Sequence, residues 1–163
     1  MGYAFMHIVF VWIFAKAYEK IKKYSFSHIE WALIIFIALL PDIDLLYDWT
    51  FGTSVHRMFL SSLVFFALAL IASFILVRIW KKLPENLPII TLIGISSHFI
   101  LDMVSPIGIQ LLWPLPYWIS FTGIKGLSVI PYDYPLFFKF MVVDMAIGTA
   151  WLLFLILKNK FKL

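Results

Sequence analysis

His98 and Asp102 stand four residues apart in one of the most apolar stretches of the chain. In a helix this spacing places both side chains on one face, about 6 Å apart along the axis. Ionisable residues at membrane depth cost a few kcal/mol and mark functional sites. The alternative explanation for these two residues is a structural hydrogen-bonded pair between helices.

More side chains of the same types occur in other apolar segments. The candidate metal ligands are His7, Asp42, Asp44, His56, His98 and Asp102. Because the chain has no cysteine, imidazole and carboxylate are the ligands left for a first-row metal. We expect a divalent ion, zinc first, with manganese, iron or magnesium as alternatives. Six candidates exceed the four ligands of one tetrahedral site, so two ions bridged by a carboxylate would use them.

Three residues are candidates for catalytic roles. Asp44 or Asp144 could act as a general base, and Arg57 could contact a phosphate through two hydrogen bonds. For Asp144 an interhelical hydrogen bond is an equal alternative. We expect its carboxylate to face the bundle interior, toward His98 and Asp102.

The composition is that of an integral membrane protein. Hydrophobic residues make up 63% and charged residues 13% of the 163 residues, against about half and a quarter in a soluble domain. Five apolar segments that are long enough, or nearly so, to cross a bilayer predict an all-α helical bundle, one domain over residues 1–163, with spans at 3–18, 29–46, 55–80, 87–104 and 136–157. The segment 105–123, broken by proline and glycine, is expected to be re-entrant or interfacial.

The basic residues indicate an orientation in the cell membrane. Ten of the thirteen fall on one side if the N-terminus is outside and the C-terminus is cytoplasmic, namely Lys16, Lys20, Lys22, Lys23, Arg78, Lys81, Lys82, Lys158, Lys160 and Lys162. The net charge of +4 is then a topology signal, which argues against a nucleic-acid partner. The same orientation places the candidate ligands toward the outer leaflet.

Asp42 and Asp44 cannot both face one point from a regular helix, because positions i and i+2 diverge by about 200°. Unwinding at Pro41 would let both turn inward. Otherwise one of the two aspartates would not bind the metal itself and would instead support a residue that does.

Four stretches resemble, in order, the four blocks of the LexA-regulated, membrane-bound metal-dependent hydrolase family, the YdjM-like family. They are MHIVF, LLPDIDLL, HRMFLSSL and SSHFILDMVSPIGIQLLWP, and they extend over residues 6–114. The resemblance implies a metal-dependent hydrolase, and all six candidate ligands fall at matching positions. The third block departs from the family pattern, because Ser61 stands where the family has a histidine.

The order of the ligands is also similar to that of zinc-dependent phospholipase C and the zinc single-strand nucleases. In that pattern Asp102 would bridge two zinc ions.

These observations predict a hydrolase that cleaves a phosphoester in a lipid or lipid-linked substrate at the outer leaflet, with metal-activated water. Membrane lipid would then be both environment and substrate. The alternatives are an ion or proton transporter and a membrane protein stabilised by a structural metal.

Overall fold

The computed structural model describes residues 4–105, 107–121, 123–125, 143, 144, 146–148, 150, 151 and 154. Within these residues the bounds of five helices are established: α1 (Ala4–Lys22), α2 (His28–Leu39), α3 (Ile43–Phe51), α4 (Leu63–Ile79) and α5 (Leu87–Val104). Short 3₁₀ turns at Leu40–Asp42 and Phe59–Ser61 precede α3 and α4. Strands β1 (Trp118–Ser120) and β2 (Gly123–Lys125) form an antiparallel pair. The described part is mostly helical, as predicted, and this pair is an element that the sequence did not predict.

Helix α5 lies at the centre of the described bundle, and α1, α2 and α4 pack against it. The prediction of a helix over residues 87–104 is confirmed. Within the described ranges, α5 is also the one helix long and apolar enough to cross a membrane by itself, and α4 is apolar but shorter. Large apolar side chains cover the exterior, with Phe36, Leu68, Ile71 and Phe74 more than half exposed. Exposed apolar surface of this extent is typical of a membrane or interaction surface.

Two predicted spans differ from the helices in the structure. The segment 29–46 is divided, because α2 ends at Leu39 and α3 begins at Ile43. Pro41 lies in the turn between them, where it has no N–H for a helix hydrogen bond, so the predicted interruption is confirmed. The predicted start of the third span at residue 55 is wrong. Helix α4 begins only at Leu63, after Ser62, whose hydroxyl accepts a hydrogen bond from the Phe65 N–H at 3.2 Å.

The first and the fifth predicted spans have different outcomes. Helix α1 covers the described part of the segment 3–18 and continues to Lys22. The span predicted at 136–157 lies largely outside the described residues.

Helices α2 and α5 approach each other closely at Gly94. A Cβ atom at this position would lie 2.9 Å from Ile37 Cγ2 and 3.2 Å from the Ala38 backbone nitrogen. Small residues allow such close approach between membrane helices. The contact brings the end of α2 beside His98, which lies one turn further along α5.

Candidate metal centre

Four of the predicted ligands meet at one point. His7 comes from α1, Asp42 from the 3₁₀ turn after α2, and His98 and Asp102 from α5. Each offers one nitrogen or oxygen atom, and these four atoms all lie within 4.8 Å of one another. Three of the side chains are fully buried, while that of Asp42 keeps 16% of its exposure. The cluster is therefore open on the side of Asp42.

The hydrogen bonding of His98 indicates that the cluster needs a cation or a proton. Its Nδ1 donates to the Ala38 carbonyl at 2.7 Å, and since a carbonyl can only accept, Nδ1 must carry the proton. In the neutral ring Nε2 is then an acceptor. This Nε2 lies 3.3 Å from Asp102 Oδ2 and 3.6 Å from Asp42 Oδ1. A lone pair that faces two carboxylates requires a cation or a proton between them.

The free carbonyl that orients His98 follows from Pro41. In a 3₁₀ turn the carbonyl of residue i accepts from the N–H of residue i+3, which for Ala38 would be Pro41. Proline has no N–H, so the Ala38 carbonyl is available to His98. A backbone carbonyl on the far nitrogen is a usual way to fix a metal-binding imidazole.

Three of the four His–Asp distances in the cluster are clearly longer than hydrogen bonds. His7 Nε2 lies 3.6 Å from Asp42 Oδ2 and 3.7 Å from Asp102 Oδ1. These separations exceed the roughly 3.2 Å limit of good N–H···O hydrogen bonds. Ligands about 2.1 Å from a tetrahedral ion are about 3.4 Å apart. Among the described residues, His98 Nε2 and Asp102 Oδ2 are buried without a hydrogen-bond partner. The cluster can thus hold a metal ion.

Arg57 packs against the cluster on the Asp102 side. Its Nη2 donates to Asp102 Oδ1 and its Nη1 to Ser105 Oγ, both at 2.7 Å. Its φ of +67° is rare for a residue with a side chain. Two hydrogen bonds hold this backbone, one from the Arg57 N–H to Asp44 Oδ2 at 3.2 Å and one from the Gln110 N–H to the Arg57 carbonyl at 2.9 Å. The guanidinium is therefore engaged with protein groups, and its predicted contact with phosphate stays a prediction.

Asp44 and His56 form a separate buried pair. His56 Nδ1 lies 2.6 Å from Asp44 Oδ1, and neither residue belongs to the cluster of four. The reason is geometric, since the regular turns of α3 resume at Ile43 and Asp44 then points away from Asp42. The structure divides the six predicted ligands into a cluster and a neighbouring pair, whose role as ligands stays a prediction.

Asp144 is buried, as predicted, but its carboxylate caps α1. Oδ2 accepts from the Phe5 N–H at 3.2 Å and Oδ1 from the Met6 N–H at 2.9 Å. These are N–H groups of the first turn of a helix, which have no partner within it. Asp144 is not one of the four clustered residues. The observed contact is the interhelical hydrogen bond that the sequence left open, and it fixes the turn that presents His7.

Asp48 is a site residue that the sequence reasoning missed. Its Oδ1 accepts from Thr53 Oγ1 at 2.6 Å and from the Val55 N–H at 2.8 Å, and its Oδ2 accepts from the His56 N–H at 2.8 Å. Burial raises the pKa of Asp48, but these hydrogen bonds outweigh burial and hold the pKa below its usual value. The available signal was an aspartate before a Gly-Thr-Ser turn, which here shapes the loop that carries His56.

Gly108 and Ser105 were also missed as partners of Arg57. The Gly108 carbonyl accepts from Arg57 Nη1 at 3.4 Å. The φ of Gly108 is +76°, and a Cβ atom there would overlap the Ile119 carbonyl oxygen, so only glycine fits. The Ser-Pro-x-Gly run after α5 was the signal for this turn.

The family match includes the part of the chain that carries these residues. No curated protein and no solved structure matches the chain, so the similarity in ligand order to zinc-dependent phospholipase C has no further support. A family model does match, and it extends over residues 2–159, nearly the whole chain. The chain belongs to the YdjM inner membrane protein family.

Proposed function

We propose that the chain is a membrane-embedded, metal-dependent hydrolase that cleaves a phosphoester in a lipid or lipid-linked substrate. The observation that carries this proposal is the buried cluster of His7, Asp42, His98 and Asp102, open on the side of Asp42. Membership of an inner membrane protein family supports a substrate that the bilayer supplies. A structural metal site, in contrast, has a closed ligand sphere.

The buried carboxylates of the site favour a bound divalent cation. Asp42, Asp44 and Asp102 contribute three negative charges and Arg57 one positive charge, so with neutral histidines the sum is −2. One divalent cation would neutralise this sum, so that a phosphoester could approach the ion without facing a net negative charge. A divalent ion would supply Lewis-acid activation of water and of a phosphoryl oxygen.

The side chains of the cluster have separate tasks in this proposal. His7 and His98 would donate ring lone pairs to a bound ion, and the Ala38 carbonyl fixes the tautomer of His98. Arg57 balances the negative charge of Asp102 across the 2.7 Å ion pair. Asp42, the partly exposed ligand, borders the entrance for the substrate.

The pair of Asp44 and His56 is the better candidate for the general base. Asp44 binds His56 Nδ1 and so leaves Nε2 as the atom that accepts a proton. Both oxygens of Asp144 already accept N–H groups of α1, so this carboxylate is engaged in capping the helix. We therefore assign proton transfer to His56 and a positioning role to Asp144.

We further propose five membrane spans with the N-terminus outside and the site toward the outer leaflet. The distribution of basic residues supports this orientation, and the apolar exterior of α4 supports contact with lipid. The predicted fifth span would complete the bundle.

The decisive experiment combines metal analysis with an activity assay. Protein purified without chelator should contain at least one equivalent of divalent metal by inductively coupled plasma analysis. It should release phosphorylated headgroup from phospholipid vesicles, lose this activity with EDTA and regain it with zinc. The exposed His28, at the start of α2, offers a matched control, and His28→Ala should change neither readout. Metal below one equivalent would contradict the metal site, while full metal without hydrolysis of any phosphoester would leave the structural alternative.

A further inference from the structure

A lateral groove runs between α2 and α4, with α5 as its floor. Its volume is ≈ 600 Å³. The lining is apolar except for Ser73 and Thr91, and the Ser73 hydroxyl donates to the Leu70 carbonyl at 2.7 Å. The groove therefore suits a hydrocarbon ligand.

One end of this groove adjoins the metal centre. Leu40, Phe59 and Ile95 are lining residues. Leu40 shares the 3₁₀ turn with Asp42, and Ile95 lies one helical turn before His98 on α5. From there the groove continues along α5 for about 12 Å, the rise of eight helical residues, to the start of the helix.

The groove is longer than the hydrocarbon that one leaflet supplies, so it can accommodate one extended chain. The lining residues of α4 begin at Phe65, and the lining continues to Trp80 after the helix, a rise of about 22 Å. One leaflet supplies about 15 Å of hydrocarbon, half of a core about 30 Å thick.

We propose that the groove binds one acyl chain of a membrane lipid and places the phosphoester at the head of that lipid beside Asp42. This proposal rests on the proposed function, since it names the part of the substrate that the same site recognises. An acyl chain is the apolar ligand that the bilayer presents from the side and that carries a phosphoester beyond its polar end. The lipid would then be held at both ends, by hydrocarbon contact along α4 and by charge at the cluster.

Photolabelling of the full-length protein tests this inference. The probe is a phosphatidylethanolamine with a diazirine on one acyl chain, supplied in vesicles, and labelled residues are located by mass spectrometry. Ala72→Trp fills the groove from α4. Ala67→Trp is the matched control, because Ala67 is an exposed alanine of the same helix outside the lining. We expect labelling of α5 at Thr91 and Ile95 to be lost in Ala72→Trp and kept in Ala67→Trp.

Three results would overturn the inference: labelling spread evenly over exposed residues such as Ile71 and Phe74, labelling of α5 unchanged in Ala72→Trp, or crosslinks that join two copies of the chain through the groove. Metal content, measured on the same samples, separates this inference from the proposed function. Groove labelling in protein without metal would leave the acyl-chain site standing and remove the hydrolase.

Discussion

Replacing Asp102 by asparagine tests whether this residue binds metal or only accepts hydrogen bonds. The substitution keeps the size of the side chain and one oxygen but removes the negative charge. Asp102 Oδ1 accepts from Arg57 Nη2 at 2.7 Å, and Oδ2 lies 3.3 Å from His98 Nε2. Asp102→Asn therefore removes one of the four candidate ligands and leaves the buried charge of Arg57 without its ion-pair partner.

The free energies of the lost ion pair and of the lost metal binding can both be stated. Removing one partner of a buried ion pair costs about 3–5 kcal/mol, and we expect about 3 kcal/mol here because the asparagine oxygen still accepts from Arg57. A ligand at a thousandfold excess over its Kd stabilises the folded state by about 4 kcal/mol. For a chain of this length that gain corresponds to a rise in Tm of roughly 8–16 °C, which the variant should forfeit.

The assay is thermal unfolding with EDTA and with zinc, together with metal analysis of each sample. Wild-type protein should show the metal-dependent rise in Tm, and Asp102→Asn should show none. Asp48→Asn is the matched control, since it removes another carboxylate that accepts hydrogen bonds but lies outside the cluster and is not a candidate ligand. It should lose stability yet keep its metal. Asp102→Asn protein that retains a full equivalent of metal and the rise in Tm would refute the assignment of Asp102 as a ligand.

Three further substitutions test the surroundings of the site. Pro41→Ala restores an N–H to the turn, and this N–H competes with His98 for the Ala38 carbonyl. Metal affinity, measured by chelator competition, should therefore fall about 10–100-fold. Unchanged affinity would show that the proline does not orient His98. Gly94→Ala forces α2 away from α5 and should lower the free energy of unfolding by roughly 1–3 kcal/mol, which denaturant titration measures. A cysteine at Gly2 should react with an impermeant thiol reagent in intact cells and one at Lys160 should not, and the reverse pattern would invert the proposed topology.

The parts of the site that the sequence predicted are those defined by spacing within one element. His98 and Asp102 share a face of α5 because of the i, i+4 geometry of any helix, and the limits of α5 follow from the length of its apolar run. Pro41 signalled a helix break through the chemistry of its own backbone. Such features need no knowledge of how distant parts of the chain pack.

The features that the sequence did not predict depend on contacts between distant residues. That Arg57 pairs with Asp102, 45 positions away, depends on a left-handed backbone at Arg57 that only the packed loop maintains. The capping of α1 by Asp144 joins residues 138 and 139 positions apart. The antiparallel strand pair begins within the segment 105–123, for which prolines and glycines predicted a re-entrant or interfacial segment but no strands.

The location of the cluster at a break between α2 and α3 has a physical reason. A regular membrane helix uses all its carbonyls internally, so it has none to fix the tautomer of a neighbouring histidine. At Pro41 the missing N–H frees the Ala38 carbonyl for His98, and the same turn brings Asp42 to the cluster with part of its side chain still exposed. One proline thus contributes the orientation of His98, the position of Asp42 and the open side through which a substrate would enter. A metal site on uninterrupted helices would need additional polar side chains to orient its histidine, and each would cost a few kcal/mol in the bilayer.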